Sequence, residues 1–276
     1  MWDYFEAVVL GVIQGLTEFL PISSSAHLRI FPELFGWGDP GAAFTAVCQI
    51  GTEVAVLLYF RKDIWRIATT WLRSLVRPEL RGALDARMGW FIIIGSLPIV
   101  VLGLLLEDAI DTTLRSLWII ATTLVVLGIV LGVADRYGRN EKDLKDLSVR
   151  DAVLMGLAQA AALVPGVSRS GATISMGRAL GYERAVTARY AFLLAIPAVV
   201  GSGVYKLKDV GAEQNLYGWG PTIAATVVAF VVGYAAIAWL LRYVSTRSFL
   251  PFVTYRVLLG LGVMGLLSAG VLTAGG

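Results

Sequence analysis

The chain has one cysteine and one histidine in 276 residues. A lone Cys48 excludes an internal disulfide, and a lone His27 excludes a multi-histidine metal centre. Charge is thin as well: Asp, Glu, Lys and Arg make up 16% of the chain, against roughly 25% in a typical soluble domain. No stretch has the basic, aromatic-interleaved character of a nucleic-acid surface, so no nucleic-acid partner is expected. The first apolar segment lacks a basic lead and carries Asp3 and Glu6, which argues against a signal peptide. The remainder is apolar. Hydrophobic residues reach 57% and gather in runs long enough to cross a hydrocarbon layer of about 30 Å. The class that follows is an all-α polytopic membrane protein, with 1–276 as a single integral membrane domain.

Six runs suit a crossing: 41–60, 89–106, 117–134, 186–205, 220–241 and 251–272. Two more regions, 5–35 and 152–182, are apolar but broken, the first by Pro21 and a serine cluster, the second by Pro165-Gly166 and "SRSG". Irregular backbone at membrane depth is tolerated only inside protein or beside a watery cavity, so both read as re-entrant helical hairpins. Basic residues set the orientation. Arg61, Lys62, Arg66, Arg73, Arg77, Arg81 and Arg87 fall in 61–88, five more lie in 135–151, and Arg242 and Arg247 follow the fifth run; the other loops hold only Arg115, Lys206 and Lys208. The positive-inside rule makes the first set cytoplasmic. Both termini are then outside, the first hairpin opens outward and the second opens to the cytoplasm. Segment 61–88 is either an amphipathic helix on anionic lipid or a connector. Trp2, Trp65, Trp71, Trp90, Trp118 and Trp219 lie near span ends and read as an interfacial belt.

The halves, 1–135 and 151–276, resemble each other across the charged linker 136–150. "GVIQGLTEFLPISSSA" (11–26) parallels "GLAQAAALVPGVSRSG" (156–171), and "LLYFRKDI" (57–64) parallels "SGVYKLKDV" (202–210). Three crossings per half give opposite insertion, an inverted-topology repeat, which in transporters places a site near the midplane.

Polar residues concentrate at the breaks. Gln14 and Glu18 are one helical turn apart and share a face. An ionisable residue at this depth is costly and marks function by default; the bland alternative is a helix end near water. A carboxylate with an amide one turn away suits a hard cation or a general base. Ser23, Ser24 and Ser25 follow Pro21 and suit a cap or turn with free hydroxyls. His27 is placed to fold back towards Glu18 as nucleophile, base or acid, although a lone histidine is more often a satisfied core residue. In "PGVSRSGAT", Gly166 and Gly171 permit unusual angles, Ser168, Ser170 and Thr173 offer hydroxyls, and Arg169 offers a planar fork for phosphate. A helix starting there adds free N–H groups. It is not a Walker A loop. Gln49 and Glu53 repeat the i, i+4 pair on the first crossing; Glu53 is either buried and functional or paired with an arginine. Arg256 either snorkels to the surface or faces the phosphate.

Together, "QGLTEFLPISSSAH" and "PGVSRSGAT" resemble the two signature motifs of the undecaprenyl-pyrophosphate phosphatase, or bacitracin-resistance, family. The Tyr255-Arg256 pair and the hydropathy along nearly the whole chain fit that family too. The resemblance implies a hydrolase of the bacterial plasma membrane that removes the terminal phosphate of undecaprenyl pyrophosphate to recycle the carrier for peptidoglycan. It implies a divalent cation, Mg²⁺ or Ca²⁺, and re-entrant helices in inverted repeats. Glu18, Ser24, His27 and Arg169 become the catalytic set. Gln14, Ser23, Ser25, Gly166, Ser168, Ser170, Thr173 and Arg256 become substrate neighbours, with Glu18 and Gln14 as the metal ligands. Gln14 stands where the pattern accepts Glu or Gln, which removes one carboxylate. The attacking group is open between Ser24, His27 and water, and a homodimer is one open partnership. The rival reading is a polyprenyl-phosphate transporter built on the same repeats. It needs only binding groups, whereas Glu18, Ser24 and His27 exceed that need.

Overall fold

The computed structural model describes residues 2–38, 40–106, 113–206 and 217–274. Its helices in chain order are α1 (Trp2–Phe19), α2 (Ser24–Phe35), α3 (Gly41–Tyr59), α4 (Arg61–Val76), α5 (Leu84–Leu105), α6 (Leu117–Tyr137), α7 (Val149–Ala160), α8 (Arg169–Ala179), α9 (Arg184–Lys206), α10 (Trp219–Val244) and α11 (Leu250–Ser268). No strand is formed among the described residues. Helices α5, α6, α9, α10 and α11 are long and apolar enough to cross a membrane, and α3 with α4 forms a pair bent by 69°. The six expected crossings therefore fall on α3, α5, α6, α9, α10 and α11. The compared segment 202–210 and the residues Asp39, Lys208 and the Trp2 side chain lie largely or wholly outside what is described.

The two broken regions are the pairs α1–α2 and α7–α8. Helices α2, α7 and α8 have 12, 12 and 11 residues. At about 1.5 Å per residue each covers roughly half of a 30 Å core. Pro21 has no N–H to continue α1. Two serines then start the second helix of each pair from the left-handed region, Ser23 at φ 76° and Ser168 at φ 71°, with Gly166 at φ 91° just before. Glycine adopts such angles readily; for serine they are strained and mark a constrained turn.

Packing exchanges partners between the halves: α1 lies along α10, and α7 lies along α5. The contacts are close because the residues are small. A Cβ on Gly11 would meet the carbonyl of Ala225, and one on Gly156 would meet that of Gly95. Small residues at such crossings let backbones approach where apolar burial gives little driving force. Below the breaks a large apolar cluster includes Phe19, Phe60 and Phe192. Phe192 meets Phe19 edge to face at 5.6 Å.

Candidate active site

Helix α1 delivers Glu18 one residue before its end, and α8 delivers Arg169 as its first residue. The two meet: Arg169 Nη2 lies 2.6 Å from Glu18 Oε1. The other carboxylate oxygen is also engaged. Glu18 Oε2 accepts from Ser24 Oγ at 2.7 Å and from Gln14 Nε2 at 3.1 Å. A serine hydroxyl on a carboxylate, with an arginine on the same carboxylate, is an arrangement that can serve as nucleophile, base and anion clamp. Glu18 and Arg169 line one cleft with Thr52, Glu53 and Ser170 and with apolar walls from Phe19, Val56, Phe192 and Val199; Ser24 and Gln14 stand behind Glu18.

The two breaks interlock. Ser23 and Ser25 hydroxyls are 3.2 Å apart, and those of Ser168 and Ser170 are 3.3 Å apart. Gly166 N–H donates to Ser25 Oγ, and Ser170 Oγ donates to Leu20 O, each at 3.3 Å. The +2 serine of each turn thus bonds the other half's break. Ser168 Oγ also caps α8 by accepting from Gly171 N–H at 3.2 Å, a bond of a kind worth about 1 kcal/mol. Gly166 is forced by space as well as angle, because a Cβ there would strike Thr123 Oγ1.

Three expected residues are placed differently. His27 does not fold back to Glu18. It is buried on α2, with Nδ1 2.7 Å from Ser23 O and Nε2 2.7 Å from Tyr255 OH. Its ring stacks on Tyr255 with centroids 5.5 Å apart. Since a carbonyl only accepts, Nδ1 carries the proton and Nε2 accepts from the tyrosine. Thr173 is fully buried and bonds Arg169 O at 2.9 Å, inside its own helix. Arg256 neither snorkels nor lines the cleft. It is fully buried, and its guanidinium donates to Pro21 O, Thr123 O, Leu124 O, Gly166 O and Val167 O at 3.0 to 3.4 Å. Three of these carbonyls, Pro21 O, Gly166 O and Val167 O, belong to the two breaks and two to α6, which corrects the expectation that it faces the phosphate.

Sequence reasoning left Glu53 open and passed over Thr52. Among the described residues Glu53 forms no ion pair within contact distance, and its Oε1 is buried without a partner, as is Gln14 Oε1. Thr52 Oγ1 is 3.4 Å from Gln14 Nε2. The i, i+4 echo of Gln14 and Glu18 at Gln49 and Glu53 was the available signal. Gln49 itself is not among the cleft-lining residues.

The sequence matches the family described as bacitracin resistance protein BacA over residues 7–262. It is 71% identical over 274 residues to the undecaprenyl-diphosphatase of Nocardioides sp. (strain ATCC BAA-499 / JS614), covering 99% of this chain and 100% of that one. It is 60% identical to the undecaprenyl-diphosphatase of Micrococcus luteus, over 98% and 99% of the two chains. It is 58% identical to that of Thermobifida fusca, over 97% and 91%. All three carry a hydrolase's name and none a transporter's. With a family match across most of its length and relatives this similar, and with both motifs of that family meeting in one cleft, the chain belongs to the bacitracin resistance protein BacA family.

Proposed function

We infer that the chain is an undecaprenyl-diphosphatase: it releases the terminal phosphate of undecaprenyl pyrophosphate and returns undecaprenyl phosphate to cell-wall synthesis. The observation that carries the mechanism is the Ser24–Glu18–Arg169 chain of contacts, at 2.7 and 2.6 Å. Ser24 Oγ attacks the terminal phosphorus while Glu18 takes its proton. The bond from that phosphorus to the bridging oxygen breaks, and the lipid monophosphate leaves with the bridging electrons. Glu18 passes that proton to the leaving monophosphate oxygen; water then frees phosphate from Ser24, with the carboxylate again as base. Arg169 moves from Glu18 to the phosphate oxygens, whose charge it balances as the phosphoryl group transfers. His27 holds the turn that presents Ser24, through Ser23 O and Tyr255. The apolar walls receive the first prenyl units.

A Mg²⁺ or Ca²⁺ suits the acceptors beside Glu18: the carboxylate itself, once Arg169 turns from it to the phosphate, and Gln14 Oε1, a buried acceptor with no partner, are the oxygen ligands that hard cations take. Glu18 and Gln14 would hold the ion. When bound, it supplies positive charge to the phosphate oxygens. No cluster of three or more His, Cys, Asp or Glu residues suited to a metal occurs among the described residues. The substrate's own oxygens would supply the other ligands, as phosphates commonly do for Mg²⁺. With the basic segments 61–88 and 135–151 in the cytoplasm, both termini are outside. The cleft then meets pyrophosphate left in the outer leaflet after polymer transfer.

The test is phosphate release from undecaprenyl pyrophosphate by purified protein in detergent, with and without Mg²⁺. Glu18→Gln and Ser24→Ala each lower kcat by about 10²–10⁴-fold, and Arg169→Ala by about 10³-fold or more. His27→Ala loosens the Ser24 turn and costs about 10²-fold. A Ser24→Ala enzyme at near wild-type rate would transfer the attack to water.

A further inference from the structure

The cleft's electrostatics do not close with the residues named so far. Glu18 is held by Arg169, so that pair is neutral. Glu53, on α3, lines the same cleft and has only 8% of its surface exposed. Its Oε1 is fully buried, and no donor reaches it. A carboxylate in such a place is costly unless something compensates it. The anion this cleft receives makes the imbalance worse, since a pyrophosphate brings several negative charges towards an uncompensated acid. Arg169 cannot serve Glu18, Glu53 and the pyrophosphate together, and Arg256 is committed to carbonyls.

Oxygen atoms without donors surround this point. Gln14 Oε1 is buried and unpartnered, while its amide nitrogen donates to Glu18 Oε2 and Thr52 Oγ1. Thr52 is the chain neighbour of Glu53, so Gln14 ties α1 to α3 at the level of both acids. Two carboxylates lining one cleft, with a buried orphaned amide oxygen on the neighbouring turn of α1, form a hard-cation environment.

We propose that Glu53 is the second carboxylate ligand of this enzyme's divalent cation, in place of the acid absent at Gln14. The inference rests on the phosphatase reading above and adds a residue to its metal site. Glu18 and Glu53 approach the ion from α1 and α3, Gln14 Oε1 assists, and substrate oxygens fill the remainder. Bringing the ion in relieves most of the charge conflict: two acids and a polyanion share one dication plus Arg169.

The experiment uses the full chain in detergent and Mn²⁺ as probe, an ion that takes the same oxygen ligands as Mg²⁺. Binding of Mn²⁺ alone is followed by electron paramagnetic resonance, next to the Mg²⁺ dependence of phosphate release. Wild type, Glu53→Gln and the double variant Gln14→Glu/Glu53→Gln are compared, with unfolding midpoints as the check on folding. Glu53→Gln keeps the size and hydrogen-bonding shape. It is expected to weaken Mn²⁺ binding at least tenfold and to raise the Mg²⁺ concentration for half-maximal activity by a similar factor. The double variant restores an acid beside Glu18 and is expected to regain most of the binding. Wild-type affinity in a folded Glu53→Gln protein overturns the proposal, as does a wild type that binds no Mn²⁺. Loss of binding in Glu53→Gln without regain in the double variant keeps Glu53 as a ligand and overturns its equivalence to position 14. Glu53-dependent Mn²⁺ binding in a wild type that releases no phosphate would sink the phosphatase reading and leave the metal site standing.

Discussion

At the scale of single residues, the cleft shows how little of a buried side chain's role follows from its type. Glu18 and Arg169 were legible because each sits in a break that no packing argument explains. The Ser24–Glu18 bond was not: the two are six residues apart, across a turn whose path depends on Ser23 at φ 76°. Arg256 was misread for a related reason. An arginine one turn inside an apolar helix looks like a snorkelling or substrate-facing cation, but here backbone carbonyls take it up. Its partners Pro21 O, Gly166 O and Val167 O come from both breaks, so it fixes the spacing between the Ser24 turn and the Arg169 turn. Lysine has neither the fork nor the reach to bond them all. Arg256→Lys is therefore expected to lower kcat by about 10²-fold, the order of loss for a misplacement near 1 Å. KM should change little. A steady-state comparison well below the unfolding midpoint checks this, and a rise in KM at constant kcat would instead return Arg256 to substrate binding.

At the scale of elements, the helices themselves were readable wherever periodicity or punctuation was strong. Proline, glycine and serine marked both breaks, and the six apolar runs became six helices. What was hidden is the direction taken after a run ends. The apolar run ends at residue 60 and the charged segment begins at 61, and there, at Phe60, α3 and α4 part by 69°. The composition changes there from apolar to charged, with Arg61, Lys62 and Asp63 opening α4. A helix that continued straight would carry them out of the membrane, whereas a bend lets α4 lie along the surface. Its apolar residues support that placement: Trp65 and Val76 are 73% and 79% exposed, too open for residues that face water by choice. Helix α4 still touches the body through α5, where Arg66 pairs with Asp85 at 2.8 Å. A nitroxide on a cysteine at position 76, in a Cys48→Ala background, is expected to report a depth of about 5–10 Å below the headgroup boundary in vesicles containing anionic lipid. Full accessibility to a water-soluble relaxation agent would make α4 a connector.

Across the whole molecule, buried charge is handled in two opposite ways, and the contrast separates frame from site. At the end of the bundle away from the cleft's acids, Asp135 on α6 accepts from Arg178 Nε at 3.1 Å, Arg184 Nε at 2.6 Å and Phe249 N–H at 3.0 Å. Arg178, only 1% exposed, also bonds Asn140 Oδ1, Gly138 O and Tyr182 O. Next to it, burial and the Asp151 carboxylate push the Tyr182 phenol well above its ordinary range, so it stays a neutral donor to Asp151 at 2.7 Å. Every charge in this knot has a partner, and the knot joins α6, α8, α9 and the start of α11. None of it was visible in the sequence, since the partners are tens of residues apart and look like ordinary loop charges of the positive-inside kind. The cleft is the reverse, with Glu53 and Gln14 left short of partners. The satisfied charges of the knot hold the frame, whereas Glu53 Oε1 and Gln14 Oε1 beside the cleft await something from outside the protein. Asp135→Asn tests the first half of that statement. It keeps the shape but leaves Arg178 uncompensated, at a cost of about 3–5 kcal/mol for breaking a buried pair, softened by its remaining carbonyl bonds. The unfolding midpoint in detergent is expected to fall by several degrees, while kcat measured well below it falls less than tenfold. A large loss of kcat with an unchanged midpoint would mean that the knot acts on Arg169 through α8 and belongs to the site.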